Sequence, residues 1–204
     1  MLICPSVLEK TGPLYQQTIE KLLPHFSYLQ IDVADGEYVN NKTAPIDDIL
    51  KILKNKNFSS LKFDFHLMVK NYQETIKKIL RNRKKITVNN IFVHADLSPN
   101  IDQLTSLLYK NIGLVINPQD QILNLARKYN LKKIPFIQIM SVYPGKQGQV
   151  FIEETLKKIE QLRNIGYRNK IFLDGGVNEK SIKQIRQQKF MPDVICPGSY
   201  FTNA

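Results

Sequence analysis

Tryptophan is absent from this 204-residue chain, cysteine occurs twice, histidine three times, and Asp+Glu reach only 18 against 29 Lys+Arg. Two cysteines, Cys4 and Cys196, form no disulfide framework and lack metal-type spacing, so a reducing compartment is compatible. If neighbouring strands bring them close, two small buried hydrophobes are expected rather than a disulfide. No apolar run approaches the roughly 18 residues of a membrane span. Met1 to Pro5 has neither the basic nor the long apolar region of a leader peptide. A cytoplasmic address without a membrane partner is the expectation. No Pro/Gly/Ser-rich linker, low-complexity tract or composition break divides the chain, so a single domain over 1–204 is expected. With 43% hydrophobic and 23% charged residues, the composition is that of a globular protein and excludes disorder, collagen-like repeats and a coiled coil.

The shortage of acid leaves a formal net charge of +11, which raises the question of nucleic acid. The bases at Lys54, Lys56, Lys77, Lys78, Arg81, Arg83, Lys84, Lys85, Lys132, Lys133, Lys157 and Lys158 fall on or just after helical stretches. They lack the interleaved aromatics of a base-stacking platform. They read as a solvated outer surface, and nucleic acid is not the expected partner. A positive field also attracts a small anionic substrate such as a sugar phosphate.

Short apolar runs alternate with stretches of helical period from end to end, the pattern of repeated βα units. Eight strands are expected, over 2–4, 28–33, 61–66, 90–94, 113–116, 136–140, 170–173 and 194–196. Seven helices show an apolar stripe at 3.6-residue spacing, for example Tyr72, Ile76, Ile79 and Leu80, or Phe151, Ile152, Leu156, Ile159 and Leu162. Eight strands suggest a closed (β/α)8 (TIM) barrel of α/β class, although open doubly wound sheets share the local pattern. Barrels of this type typically run to about 250 residues, with about 200 as the lower limit. A short version lacking the last outer helix is therefore expected, with apolar surface exposed where the barrel closes. A homo-oligomer or a rearranged first helix would cover it.

In such a barrel, chemistry sits at the C-terminal ends of the strands. Side chains alternate along a strand, so Gln30, Asp32 and Ala34 share one face. His66 ends the third strand, Asp174 precedes two glycines at the seventh, and Cys196-Pro197-Gly198-Ser199 forms a small-residue turn able to present amides to an anion. Taken singly, Asp35-Gly36 reads as a turn, Asp64 as a cap or paired acid, and His94 as a hydrogen-bonded interior residue. Asp32, His66 and Asp174 stand above such readings because three strand ends aim them at one mouth. Such a trio binds a divalent metal or sets two carboxylates on opposite sides of a substrate carbon.

Seven motifs carry a wider likeness: Cys4-Pro5-Ser6-Val7-Leu8, Ile31-Asp32-Val33-Ala34-Asp35-Gly36, Asp64-Phe65-His66-Leu67-Met68, Val93-His94-Ala95-Asp96, Met140-Ser141-Val142-Tyr143-Pro144-Gly145, Asp174-Gly175-Gly176-Val177-Asn178 and Gly198-Ser199. In their order and spacing the chain resembles the ribulose-phosphate 3-epimerase family. The resemblance implies an isomerase that moves a proton at C3 of a ketose phosphate, a reaction of the pentose phosphate pathway. It implies a divalent metal, commonly zinc, held by two His and two Asp. By position, Asp32 and Asp174 become the acid/base pair, and Asp32, His66 and Asp174 the metal ligands. Ser6 and His66 touch the sugar, while Met68 and Met140 keep their places in closing the site. The phosphate falls to the backbone of Gly145, Lys146, Gln147 and Gly148, Gly175 and Gly176, and Gly198 and Ser199.

The departures from that pattern are specific. Gln30 stands where the family has a metal-binding His, which weakens metal binding or shifts preference from zinc toward harder ions such as Mn, Fe or Mg. Ala34 replaces a methionine. The loop Gly145-Lys146-Gln147-Gly148 replaces a Gly-aromatic-Gly-Gly pattern, so that Lys146 adds a charge near the phosphate and Gln147 is strained if its position needs positive φ. Glu37 and Tyr143 also sit where other residues are usual. Three readings follow. The first is interconversion of D-ribulose 5-phosphate and D-xylulose 5-phosphate, with allulose 6-phosphate as the alternative substrate in the same family. The second is a catalytically drifted sugar-phosphate-binding barrel with weakened metal binding. The third, nucleic-acid binding, would show as strong salt dependence.

Overall fold

The apolar runs pair as parallel strands. The computed structural model describes residues 1–108 and 111–202, so the expected 1–204 domain takes in positions 109–110 and 203–204 that lie outside the described residues. The strands are β1 (Leu2–Ile3), β2 (Ser6–Val7), β3 (Tyr28–Ala34), β4 (Lys62–Met68), β5 (Thr87–His94), β6 (Ile112–Ile116), β7 (Phe136–Met140), β8 (Lys170–Asp174) and β9 (Val194–Cys196). Their order, β1-β9-β8-β7-β6-β5-β4-β3-β2, is parallel throughout. The nine segments are the eight expected strands and one more, because the first, expected over 2–4, breaks at Cys4-Pro5 and resumes as β2 beyond its expected end. Its first half pairs with β9 and its second with β3, so the two ends of the sheet are one stretch of chain and the barrel closes. Pro5 has no N–H to give, but its carbonyl accepts the N–H of Gln30 at 2.8 Å, while the amides of Cys4 and Ser6 bond Ile195 and Pro197 on the other side.

Outside the strands lie α1 (Gly12–Leu22), α2 (Ile46–Leu53), α3 (Tyr72–Arg81), α4 (Ile101–Leu108), α5 (Ile122–Lys128), α6 (Lys157–Asn164), α7 (Glu179–Arg186) and α8 (Ser199–Thr202). The helix expected from Phe151 starts instead as a 3-10 turn over Glu153–Leu156 that leads into α6. The place of the last outer helix is taken by the single turn α8, whose Phe201 packs on Phe26 with ring centroids 5.1 Å apart. Leu2 and Ile3 remain 55% and 37% exposed, so apolar surface is open at the closure. No helix among the described residues is long and apolar enough to cross a membrane.

Period-two alternation splits the core into two layers. Outward residues such as Leu29, Ile31, Phe63, Phe65, Ile137, Ile139, Ile171 and Leu173 pack beneath the helices. Inward residues fill the barrel with Cys4, Phe92, Val115, Met140, Phe172, Val194 and Cys196. Cys4 and Cys196 are both free and fully buried, and burial pushes the Cys4 thiol up to about 11, so both behave as the small hydrophobes expected. Gly113 makes room for this packing: a Cβ there would lie 2.2 Å from the Phe92 ring. Gly113→Ala is expected to cost about 1–3 kcal/mol of stability from overpacking, read as a lower urea midpoint.

Of two buried polar residues, Asp64 is the paired acid expected and Lys158 departs from its reading. Asp64 is fully buried near the floor of the barrel, where it accepts from Tyr28 and, at 3.0 Å, from Asn89. Burial outweighs those bonds and raises its carboxyl to about 7. Lys158, read as part of a solvated charge run, is instead buried with its ammonium on the Asp120 carbonyl. The (CH2)4 stem reaches under the outer surface while one carbonyl accepts from the head.

Candidate active site

Above the apolar filling, the inward faces turn polar. Asp32 on β3, His66 on β4 and Asp174 at the end of β8 are 5%, 1% and 5% exposed. The register pairs Asp32 with His66 directly, and His66 Nδ1 lies 3.1 Å from Asp32 Oδ1 and 3.4 Å from Asp174 Oδ2. A buried Tyr15 on α1 donates to the Asp32 carbonyl at 2.5 Å, tying an outer helix to this strand end.

Gln30 joins the acids. Its Nε2 donates to Asp32 Oδ1 at 3.0 Å and to Asp174 Oδ2 at 2.7 Å. Gln138 on β7 adds a second amide donor to Asp174 Oδ2 at 2.9 Å. Sequence reasoning missed Gln138, although alternation places it on the inward face two residues before Met140, the signal that exposed Gln30. The Oε1 atoms of both glutamines are buried without a hydrogen-bond partner.

Burial pushes the Asp32 carboxyl up, and although His66 and Gln30 pull it down, Asp174 adds to the rise and the result is about 6. Burial pushes the His66 imidazole down, but the hydrogen bonds and charges of Asp174 and Asp32 outweigh it and hold the ring up at about 9. Two carboxylates thus share a water-poor site with one imidazole. One ligand atom from each of Asp32, His66 and Asp174 lies within 4.8 Å of the others. Two carboxylate oxygens and one imidazole nitrogen form a donor set that fits a divalent cation.

The phosphate-loop candidates close over this group. A single cleft is lined by Asp32, His66 and Asp174 together with Ser6, Met68 and Met140, the loop Gly145, Lys146, Gln147 and Gly148, the pair Gly175 and Gly176, and Gly198 and Ser199. All the expected site residues therefore meet in one place. Gly145 and Gly148 have φ of +111° and +73°, while the strain expected at Gln147 is absent, because Ser98 alone among the described non-glycine residues has positive φ. Gln149 pins the loop by donating to the Tyr143 and Lys146 carbonyls at 2.6 and 2.9 Å, and Asn41 holds the Gly145 carbonyl at 2.7 Å. Asn178, next to the glycine pair, is the N-cap of α7 in a reciprocal capping box with Ser181.

Asp35-Gly36 is a turn, as read. Asp35 accepts the amides of Glu37, Tyr38 and Lys70 at 2.7–2.8 Å. Although burial raises its carboxyl, these three bonds outweigh that and leave it lowered. The turn carries Tyr38 over His94, with ring centroids 4.7 Å apart. His94 is the interior hydrogen-bonded residue expected, between His66 at 2.9 Å and Asn117 at 3.0 Å.

Fold and site define a (β/α)8 barrel enzyme with an acid pair and a glycine-rich cradle at one mouth. Residues 2–201 match the model of the ribulose-phosphate 3 epimerase family. The chain is 32% identical over 193 residues to the ribulose-phosphate 3-epimerase of Escherichia coli K12, covering 90% of this chain and 82% of that one. It is 30% identical over 210 residues to the enzyme of that name from Helicobacter pylori 26695, covering 98% and 90%. The chain belongs to the ribulose-phosphate 3-epimerase family, and so to the isomerases acting on carbohydrates. Among solved structures, 3-hexulose-6-phosphate synthase from Salmonella typhimurium superposes with a TM-score of 0.68 at 13% identity, over 100% of this chain and 92% of that one. N-acetylmannosamine-6-phosphate 2-epimerase from Clostridium perfringens does so at 0.56 and 11%, over 98% and 86%. These two likenesses speak for the barrel alone.

Proposed function

We propose that this protein interconverts D-ribulose 5-phosphate and D-xylulose 5-phosphate by moving a proton at C3. The observation that carries the reading is the carboxylate pair. Asp32 and Asp174 reach the cleft from separate strands and converge on one imidazole nitrogen, at 3.1 and 3.4 Å. One carboxylate takes the proton from C3, breaking C–H and leaving an enediolate. The other, as the carboxylic acid, delivers a proton to the opposite face, and the reverse reaction exchanges the roles. A carboxyl raised to about 6, as Asp32 is, suits a group that must both take and give a proton near neutrality. Asp32, His66 and Asp174 would hold a divalent cation, which when bound supplies Lewis-acid stabilisation of negative charge. Gln30 and Gln138 hold the carboxylates in place through their amide N–H groups. The loop at Gly145 to Gly148, with Gly175, Gly176, Gly198 and Ser199, receives the phosphate and so fixes C3 between the acids. Protein stripped with chelator and resupplied with Mn2+ or Zn2+ is expected to form xylulose 5-phosphate from ribulose 5-phosphate, and failure with every divalent cation supplied would overturn the assignment.

Gln30 bonds both acids, so it reads as part of a working site rather than as a relic of a lost one. Gln30→His is accordingly expected to retain more cation through gel filtration, yet to gain no turnover when cation is in excess. A large gain in turnover would mark the native site as drifted away from catalysis.

A further inference from the structure

The face of His66 turned away from the acids leads into a chain of groups that the proposed reaction does not use. His66 Nε2 lies 2.9 Å from His94 Nε2, and His94 Nδ1 lies 3.0 Å from Asn117 Oδ1. The Asn117 amide nitrogen donates to Tyr38 Oη at 3.2 Å and Asp96 Oδ2 at 3.3 Å. Tyr38 Oη itself lies 3.0 Å from both Asp96 oxygens. His66, His94 and Asn117 are each at most 1% exposed.

The direction of every bond in this chain follows from its outer end. A carboxylate only accepts, so Asp96 requires a donor from Asn117 and another from Tyr38. That turns the Asn117 nitrogen outward and its oxygen toward His94. An amide oxygen only accepts, so His94 carries its proton on Nδ1 and offers a lone pair at Nε2. His66 must then carry a proton on Nε2, beside the one its Nδ1 turns to Asp32 at 3.1 Å. We infer that Asp96, Asn117 and His94 form a positioning relay that keeps a proton on His66 Nε2 and leaves Nδ1 to face the acids and the cation they hold. The inference rests on the proposed function for the use of Nδ1, though the tautomers follow from the geometry alone. A ligating imidazole anchored through its other nitrogen is oriented and more basic. Here the anchor is a second imidazole, whose own tautomer must first be fixed.

Asn117→Leu removes the acceptor from His94 Nδ1 and frees the chain to reverse, so that His66 Nε2 no longer has to hold a proton and the nitrogen that faces Asp32 can keep its own against an arriving cation. Asn117→Asp keeps an acceptor for His94 Nδ1 and, by sharing one proton with Asp96 through its outer oxygen, preserves the direction. The test is 15N–1H correlation of the histidine rings in the chelator-stripped full chain, together with the Mn2+ dissociation constant by titration. Expected are protonated Nε2 in His66 and protonated Nδ1 with bare Nε2 in His94, a 10–100-fold weaker Mn2+ affinity in Asn117→Leu, and affinity near wild type in Asn117→Asp. A bare His66 Nε2 in the wild type, or unchanged affinity in a folded Asn117→Leu, would overturn the relay. The spectrum of the wild type decides the tautomers even if the leucine variant does not fold. The expected tautomers without epimerase activity would sink the substrate reading and spare the relay; reversed tautomers with full activity would do the opposite.

Discussion

Asp32→Asn and Asp174→Asn are each expected to lower interconversion of the two pentulose phosphates by roughly 10²–10⁴-fold, the contribution of a positioned proton-transfer group. The two variants should fail differently. With Asp32 gone, Asp174 still reaches one face of C3; with Asp174 gone, Asp32 reaches the other. Residual hydrogen exchange is thus confined to one epimer in each variant, and to opposite epimers. Neither substitution is expected to unfold the protein. Asn keeps an amide oxygen to accept the Gln30 N–H that now goes to Asp32 at 3.0 Å or Asp174 at 2.7 Å, and it removes a carboxylate from a buried site. Urea midpoints at or above wild type, with turnover lost, separate a chemical defect from a folding defect. Equal exchange of both epimers in both variants would rule out the two-sided arrangement.

Gly175→Ala is the second large effect. Gly175 has φ +107°, a region that side chains rarely adopt, and an added Cβ would lie 2.3 Å from Val142 Cγ2 and 3.0 Å from its backbone nitrogen. The site cannot relax easily, because Ser141 clamps the same turn, its hydroxyl donating to the Gly175 carbonyl at 2.6 Å and to that of Asp174 at 3.0 Å. Backbone strain of this kind costs on the order of 1–3 kcal/mol, and the clash adds to it. Because the residue follows Asp174 directly, any shift of the turn moves a proposed acid and part of the phosphate cradle together. A displacement of about 1 Å is enough for a 10²-fold loss, so kcat/KM is expected to fall by about that factor along with the urea midpoint. Gly148→Ala is the comparison for stability. Its φ is +73°, but nothing lies within 4 Å of the added Cβ, so about 1 kcal/mol of backbone cost is expected alone.

The alternation of side chains made the heart of the site legible. It put Gln30, Asp32 and Ala34 on one face, and His66 and Asp174 at the same mouth, before any contact was known. Gln138 obeys the same rule, but a single amide between Ile137 and Ile139 in mid-strand carries no chemical signal of its own. What the pattern could not supply is stagger between strands. Whether His94 reaches His66, and whether Asn117 reaches His94, depends on how β5 and β6 slide past β4, and β4 and β5 shift register between Phe63 and Phe65. The break of the first strand had a signal in Pro5, whose missing N–H interrupts a ladder, but which half pairs with which neighbour is a matter of closure. The burial of Lys158 was hidden for another reason. In a charge run each lysine looks alike, and only the position of the Asp120 carbonyl selects the one that is drawn in.

The most direct measurement is the fate of the C3 hydrogen. Cation-supplied enzyme is incubated with D-ribulose 5-phosphate in D2O, and the xylulose 5-phosphate formed in the first few per cent of reaction is examined by mass and by NMR. Two carboxylates on opposite faces require the departing proton and the arriving one to be different, so the product is expected to carry one deuterium, at C3. Product that keeps its original C3 hydrogen, or no product at all, would contradict the account.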